Sequence, residues 1–253
     1  MSGNRSVLSV LAHPDDAEFM CAGTMALLRK KGWEVHIATM TPGDCGSAEY
    51  NREEISKIRR GEAAKAAKIL DGTYHCLECD DVFIMYDRPT LLKVIEVIRK
   101  AKPTIVFAPS PSDYFVDHEN TSRLVWTACF ACAMKNVETK GVAPYDYLPY
   151  LYYVDALGGT DINGNSIDPK VLTDISSVIS TKEEMLCSHA SQRNWLLAHH
   201  GLDEYILSMK EFAQKRGKEI GAKYAEGFRM HLGHAFPHDN ILKTELGSLV
   251  HEK

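Results

Sequence analysis

Ser6-Val7-Leu8-Ser9-Val10-Leu11-Ala12-His13-Pro14-Asp15-Asp16 is the stretch that decides the fold. The run over 6–12 reads as a strand. It is too short for a signal-peptide core or a membrane span, and charged residues follow it at once. Pro14 cannot extend a strand and stiffens the turn. A strand that stops in a histidine and two aspartates carries chemistry at its end, and in an open parallel sheet ligands bind beyond the carboxyl ends of the strands.

Working outward, short apolar runs alternate with amphipathic segments. Residues 22–31 read as a helix and 35–40 as a second strand. A long charged helix is expected over 47–70, with Ile55, Ile58, Ala66, Ile69 and Leu70 as its buried stripe. A third strand is expected at 74–77. A helix follows at 90–100, with Leu91, Val94, Ile95 and Ile98 inward, then a fourth strand at 104–108 and a helix at 120–134. This order predicts an α/β fold, a mostly parallel sheet with helices on both faces. After Pro149 the pattern is less regular: a strand at 150–156, a turn-rich loop at 158–168 and helices at 181–198 and 203–218. Asp161-x-Asn163-Gly164-Asn165 resembles a calcium loop faintly, but its glycine falls too early, and a plain turn is the better reading. No repeat or linker interrupts the chain, so residues 1–253 read as one domain.

A net charge of −5 on an ordinary composition points away from nucleic acid and from anionic membrane surfaces. With no secretory signal or membrane span, a cytoplasmic location is expected. The seven cysteines then read as reduced thiols. Cys76-x-x-Cys79 and Cys129-x-x-Cys132 are each spaced like half of a zinc ribbon. The gap between the pairs is far too long for one, and Cys129 and Cys132 lie in an apolar run, so buried thiols are preferred.

His13 and Asp16 offer an imidazole and a carboxylate, both good zinc ligands, and Asp15 is left over beside them to take a proton. The loop after the fourth strand, from Pro109 to His118, emerges at the same sheet edge and can supply a second histidine. Two histidines and one carboxylate leave a fourth position for water, the arrangement of a catalytic zinc. The plainer alternative is that Asp15 or Asp16 caps the following helix and that the histidines are structural. Two such pieces at strand ends of one sheet favour the metal.

The same residues resemble a known family, the LmbE/PIG-L metal-dependent deacetylases, which include the GlcNAc-phosphatidylinositol, mycothiol and bacillithiol pathway enzymes. Ala12-His13-Pro14-Asp15-Asp16 matches the family's A-H-P-D-D segment in full, and Glu18 and Gly23-Thr24 are in keeping with it. Thr41-Pro42-Gly43-Asp44 resembles its T-x-G-[ED] loop and Arg59-x-x-Glu62 its R-x-x-E helix. Asp117-His118 resembles the end of its H-P-D-H segment, and His189-x-Ser191-Gln192 a later H-x-S-Q segment. The likeness extends to about Phe228. It implies a Rossmann-like sheet, a Zn2+ ion held by His13, Asp16 and His118, and Asp15 as general base. It also implies substrate contacts near Arg59 and Asp44, and often a homo-oligomer. Asp117 is then expected to orient His118 or a neighbour. Arg59 is expected to bind an anionic or polyol part of the substrate, its alternative being a surface ion pair with Glu62.

One departure stands out. Phe115 occupies the place of the family's first H-P-D-H histidine, which is associated with oxyanion stabilisation. Candidates to replace it are the metal alone, Tyr114, His189 and the late cluster His231, His234 and His238, the last three also readable as a second metal site or a polar surface loop. The function implied is zinc-dependent removal of acetyl from an N-acetylglucosamine-type or related N-acylated small molecule. Alternatives are an amidase of another small-molecule conjugate on the same centre and a non-catalytic metal-binding relative. A nucleotide-binding domain is disfavoured, because no G-x-G-x-x-G follows the first strand. A His₂Asp site also admits iron or cobalt.

Overall fold

The computed structural model describes residues 4–193 and 204–253. β1, Ser6–Leu11, is buried along its whole length. Its side chains alternate between two cores: Val7 and Leu11 enter one, Leu8 and Val10 the other. It lies between β2 (Glu34–Thr39) and β4 (Ile105–Ala108), parallel to both. β3 (Thr73–Cys76) extends the sheet beyond β2, and β5 (Tyr150–Val154) extends it beyond β4, again in parallel. The order β3-β2-β1-β4-β5 therefore reverses direction between β1 and β4, which makes that crevice a topological switch point.

Three further strands close the sheet at eight: β6 (Val171–Asp174), β7 (Ala225–Met230) and β8 (Val250–Glu252), all antiparallel to their neighbours. Sequence reading missed these three. β6 and β8 are short, and β7 carries Glu226, Gly227 and Arg229, so no apolar alternation marks it.

The helices cover both faces. α1 (Asp16–Met20) and α2 (Ala22–Lys30) follow β1 and are separated at Cys21. α3, Arg52–Ile69, starts later than the expected 47–70. Asn51 forms a capping box with Glu54, while the Ser47 hydroxyl accepts from the amides of Glu49 and Tyr50 in a turn of its own. α4 is Arg88–Ala101, capped by Asp87. α5, Val116–Ala131, starts before the expected 120–134, so Asp117 and His118 lie in its first turn rather than in a loop. There Asp117 and Glu119 complement the positive end of the helix, and Glu119 reaches back to the amide of Asp113. α6 is Ile179–Cys187, α7 Glu204–Lys218 and α8 Ile241–Leu246. The expected helical residues 194–198 and 203 lie outside the described residues.

Beneath one face α2, α3 and α6 pack through Met25, Leu28, Ala66, Ala67 and Met185. Beneath the other lie α4 and α5, through Val94, Ile95, Ile98, Leu124 and Val125. A fully buried aliphatic side chain contributes about 1.5–3 kcal/mol, so this packing rather than intrinsic propensity holds the helices. Cys129 and Cys132 are buried in the second core, with the Cys132 thiol donating to main-chain carbonyls. In the loop after β5, Asp161 accepts from the amides of Asn163 and Asn165, which makes the segment a side-chain-closed turn.

A buried ion pair ties the antiparallel strands to the front of the sheet. Lys182 on α6 meets Glu226 on β7 at 2.5 Å, and the same carboxylate accepts from the amides of Gly23 and Thr24 at the start of α2. Lys182→Met leaves Glu226 a buried charge without its cation and is expected to cost about 3–5 kcal/mol in denaturant unfolding. A loss below about 1 kcal/mol would show that the α2 amides alone suffice for the carboxylate.

Candidate metal centre

The turn after β1 is held in an unusual conformation. Asp15 has φ 101°, a left-handed value that few non-glycine residues adopt and that costs about 1–3 kcal/mol unless neighbours impose it. Those neighbours are present. The Arg59 guanidinium donates to the Pro14 carbonyl at 2.7 Å and stands 3.5 Å from the Asp15 carboxylate. The Tyr205 hydroxyl donates to the same carboxylate oxygen at 2.5 Å. Burial raises the Asp15 carboxyl above its usual pKa, against the pull of Arg59. Gly43 has φ +71°, and Arg59 fills the space its Cβ would need, which accounts for glycine there.

Asp16 is the hub. Its Oδ2 accepts from the His13 amide at 2.8 Å and lies 3.5 Å from His13 Nδ1 and 3.6 Å from His118 Nε2. Three donor atoms from β1's end and α5's first turn thus converge, all within 4.8 Å of one another. The far nitrogen of each imidazole faces carboxylate. His118 Nδ1 is 3.0 Å from Asp113, and His13 Nε2 is 3.2 Å from Asp81 and 3.4 Å from Asp117. Such outer partners fix the tautomer and aim the other nitrogen at a metal. His13, Asp81 and Asp117 form a second convergent set, but their oxygens have other duties. Asp117 accepts from the amides of Val82 and Ile84, and Asp81 from that of Cys45.

Burial pulls both imidazoles down, yet both end above their ordinary value: Asp117, Asp16 and Asp81 raise His13, and Asp16 and Asp113 raise His118. Asp16 is opposed by burial but is held well below the usual carboxylate range by His118 and His13. A field that favours positive charge on two imidazoles also favours a divalent cation between them. The donor set, its spacing and its outer carboxylates therefore fit a catalytic metal with room for water.

The other expected residues fall around this centre. Asp117 faces His13, and it is Asp113, on the loop after β4, that faces His118. Asp44 is buried, pairs with Arg52 and accepts from the amide of Asp81, so it braces the Asp81 loop. Arg59 is buried under the Asp15 turn rather than paired on the surface with Glu62, which accepts from Ser191. Neither Asp44 nor Arg59 lines the cavity above the metal donors. Phe115 lies flat against the His13 ring, centroids 5.3 Å apart at 8°. Tyr114 meets His118 edge-on and lines the cavity. His189 is fully buried beside Glu18, His231 bonds the Tyr153 hydroxyl, and His234 and His238 are exposed. None of these four lines the cavity.

Asp81, Asp113 and Tyr205 were missed in the sequence. Asp81 and Asp113 follow β3 and β4, whose carboxyl ends share the edge with β1, so position relative to a strand end was a usable signal. Tyr205 joins Asp15 across 190 residues, and nothing local marks it.

Residues 8–129 match the family model described as PIG-L: GlcNAc-PI de-N-acetylase. The chain is 26% identical over 235 residues to diacetylchitobiose deacetylase of Thermococcus kodakarensis, covering 89% of this chain and 82% of that protein. Over 122 residues, 45% of this chain and 47% of the other, it is 29% identical to 4-oxalmesaconate hydratase of Pseudomonas putida. The solved structure of N,N'-diacetylchitobiose deacetylase from Pyrococcus horikoshii superimposes with a TM-score of 0.77 at 25% identity, covering 94% of this chain and 88% of that one. Residues 8–129, which carry the A-H-P-D-D turn, are a PIG-L (LmbE) family domain, and the fold of the chain resembles that of the Pyrococcus horikoshii deacetylase.

Proposed function

We propose that the protein is a zinc-dependent deacetylase that hydrolyses the acetamide of an N-acetylglucosamine-type small molecule, with residues 1–253 acting as one domain. The observation that carries this reading is the convergence of His13, Asp16 and His118 at the switch point with Asp15 beside them. The deacetylase names of two relatives support it. When bound, zinc would bring the pKa of water toward neutrality and polarise the amide carbonyl.

His13, Asp16 and His118 would hold the ion. Asp113 orients His118, and Asp117 with Asp81 orients His13. Asp15 accepts the proton of the attacking water and delivers it to the departing amine, one group serving as base and then acid. Arg59 and Tyr205 fix its carboxylate on one oxygen, which leaves the other for the water. Arg59 and Asp44, expected in contact with substrate, act in this reading through the Asp15 turn and the Asp81 loop. Tyr114, which lines the cavity beside His118, would assist the oxyanion where the family's histidine is replaced by Phe115.

No helix among the described residues is long and apolar enough to cross a membrane. The seven cysteines form no disulfide, which fits the cytoplasmic location proposed here. Exposed Phe83, Met85, Trp126 and Phe130 support association into a homo-oligomer, which sedimentation velocity tests.

A second reading is water addition rather than amide hydrolysis. The hydratase relative favours it, and both reactions need an activated water beside a base. Metal analysis with parallel assays separates them. About one zinc per chain and acetate release from N-acetylglucosamine conjugates, abolished by a chelator, are expected. Consumption of 4-oxalmesaconate with no amide cleaved would replace the deacetylase reading with the hydratase one. Failure to bind zinc when it is supplied would remove both.

A further inference from the structure

We propose that the cavity above the metal donors accepts N-acyl groups longer than acetyl, with the chain on the cavity floor and the sugar at its mouth. This rests on the amide-hydrolase reading and extends it from acetyl to medium-chain acyl groups.

The cavity measures about 690 Å³, and Asp15, Asp16 and His118 form one wall. That volume suits a drug-sized ligand, whereas an acetyl group adds a single methyl beyond the carbonyl. The inner end is apolar. Leu11 at the end of β1, Val154 at the end of β5 and Met20 on α1 line it, each at most 8% exposed. Phe19, Leu157 and Phe212 continue the apolar surface outward.

At this inner end two further carboxylates, Asp113 and Asp155, reach the lining, each with one oxygen engaged. Asp113 faces His118 at 3.0 Å, and Asp155 accepts from Arg216 at 2.7 Å. Asp155 Oδ1 is buried without a partner, but a sugar ring carries several hydroxyls, and each one buried without a partner is strongly disfavoured. A methylene chain carries no such requirement.

Polarity rises toward the mouth. α7 presents Glu204, Ser208, Glu211, Phe212 and Lys215 to the cavity, the i, i+4, i+7, i+8, i+11 face of one helix. Ser208, Glu211 and Lys215 are exposed and can meet a sugar ring with its hydroxyls still solvated. The amide must lie between, at the Asp15 wall. In the reaction, water oxygen bonds to the acyl carbon and the C–N bond breaks. The nitrogen takes both of the water's protons, one of them by way of Asp15, and leaves as the ammonium form of glucosamine, and the chain leaves as a carboxylate.

The test uses N-acylglucosamines of roughly two, four, six and eight acyl carbons, a range chosen around the burial limit of about fourfold per methylene. Amine release by the zinc-loaded protein is followed, together with calorimetric binding of N-acetyl- and N-hexanoylglucosamine to the metal-free protein. The expected result is kcat/KM at least about tenfold higher for hexanoyl than for acetyl, within that limit, and tighter hexanoyl binding without metal. Leu157→Ala and Phe212→Ala should each lower the hexanoyl-to-acetyl ratio. Acetyl cleaved best, with rates falling as the chain grows, overturns the proposal and leaves the deacetylase reading in place. Tighter hexanoyl binding with no amide cleaved supports the chain site and overturns the hydrolase reading. A ratio unchanged in both variants overturns the placement of the chain.

Discussion

Asp15→Asn is expected to lower turnover by about a thousandfold or more while zinc stays bound. Removing one general acid–base group costs about 10²–10⁴ in rate, and Asp15 serves both proton transfers in the proposed reaction. Asparagine is the informative substitution. Asp15 sits at φ 101°, which asparagine tolerates better than alanine, and the amide keeps the shape and can still accept from Tyr205. Asp15→Ala removes the carboxylate as well but adds backbone strain, so it should be both inactive and less stable. Turnover by Asp15→Asn above a tenth of the parent, with zinc bound in both, would exclude Asp15 as the base.

His118→Ala should release the metal. His118 supplies one of three convergent donors, and the loss should exceed the ten- to hundredfold that removal of an outer partner costs. Two measurements read it: zinc content after dialysis, and the rise in Tm when zinc is added, which depends on binding to the folded state. The parent should show both, and the variant neither. Because His13 and His118 are both raised by their carboxylates, zinc uptake should release protons and weaken as the pH falls. Stoichiometric zinc in His118→Ala, with the parent's thermal shift, would mean that the ion sits elsewhere; the His13, Asp81, Asp117 set is the place to look next.

The two substitutions probe parts of the site that differ in how visible they are in the sequence. His13, Asp15 and Asp16 are contiguous with a strand that announces itself by composition, so their shared location follows from chain connectivity. His118 was legible because its loop follows another strand of the same sheet. The helix that carries it was placed four residues late, because its first turn, Val116 to Glu119, has no apolar period to show where it begins. Asp117 was expected to orient His118 or a neighbour, and the imidazole it faces is that of His13.

Arg59 illustrates the opposite case. On its helix it looks like one charge among many, with Glu62 one turn away as the obvious partner. In the fold it is buried and spends its donors on the main chain of two loops, Pro14 and Gly43.

Local pattern by itself determined the five parallel strands, the helices between them and the carboxyl-edge location of the site. Each of those rests on periodic burial and on connections of a few tens of residues, which leave a signature in the chain. Tertiary structure alone decided the antiparallel extension β7-β6-β8, the pairing of Asp113 with His118 and of Asp81 with His13, and the Tyr205 contact to Asp15. The physical reason is common to all of them. A hydrogen bond or ion pair between distant segments depends on which faces pack together, and that is set by the summed burial of the whole chain rather than by any residue near the contact.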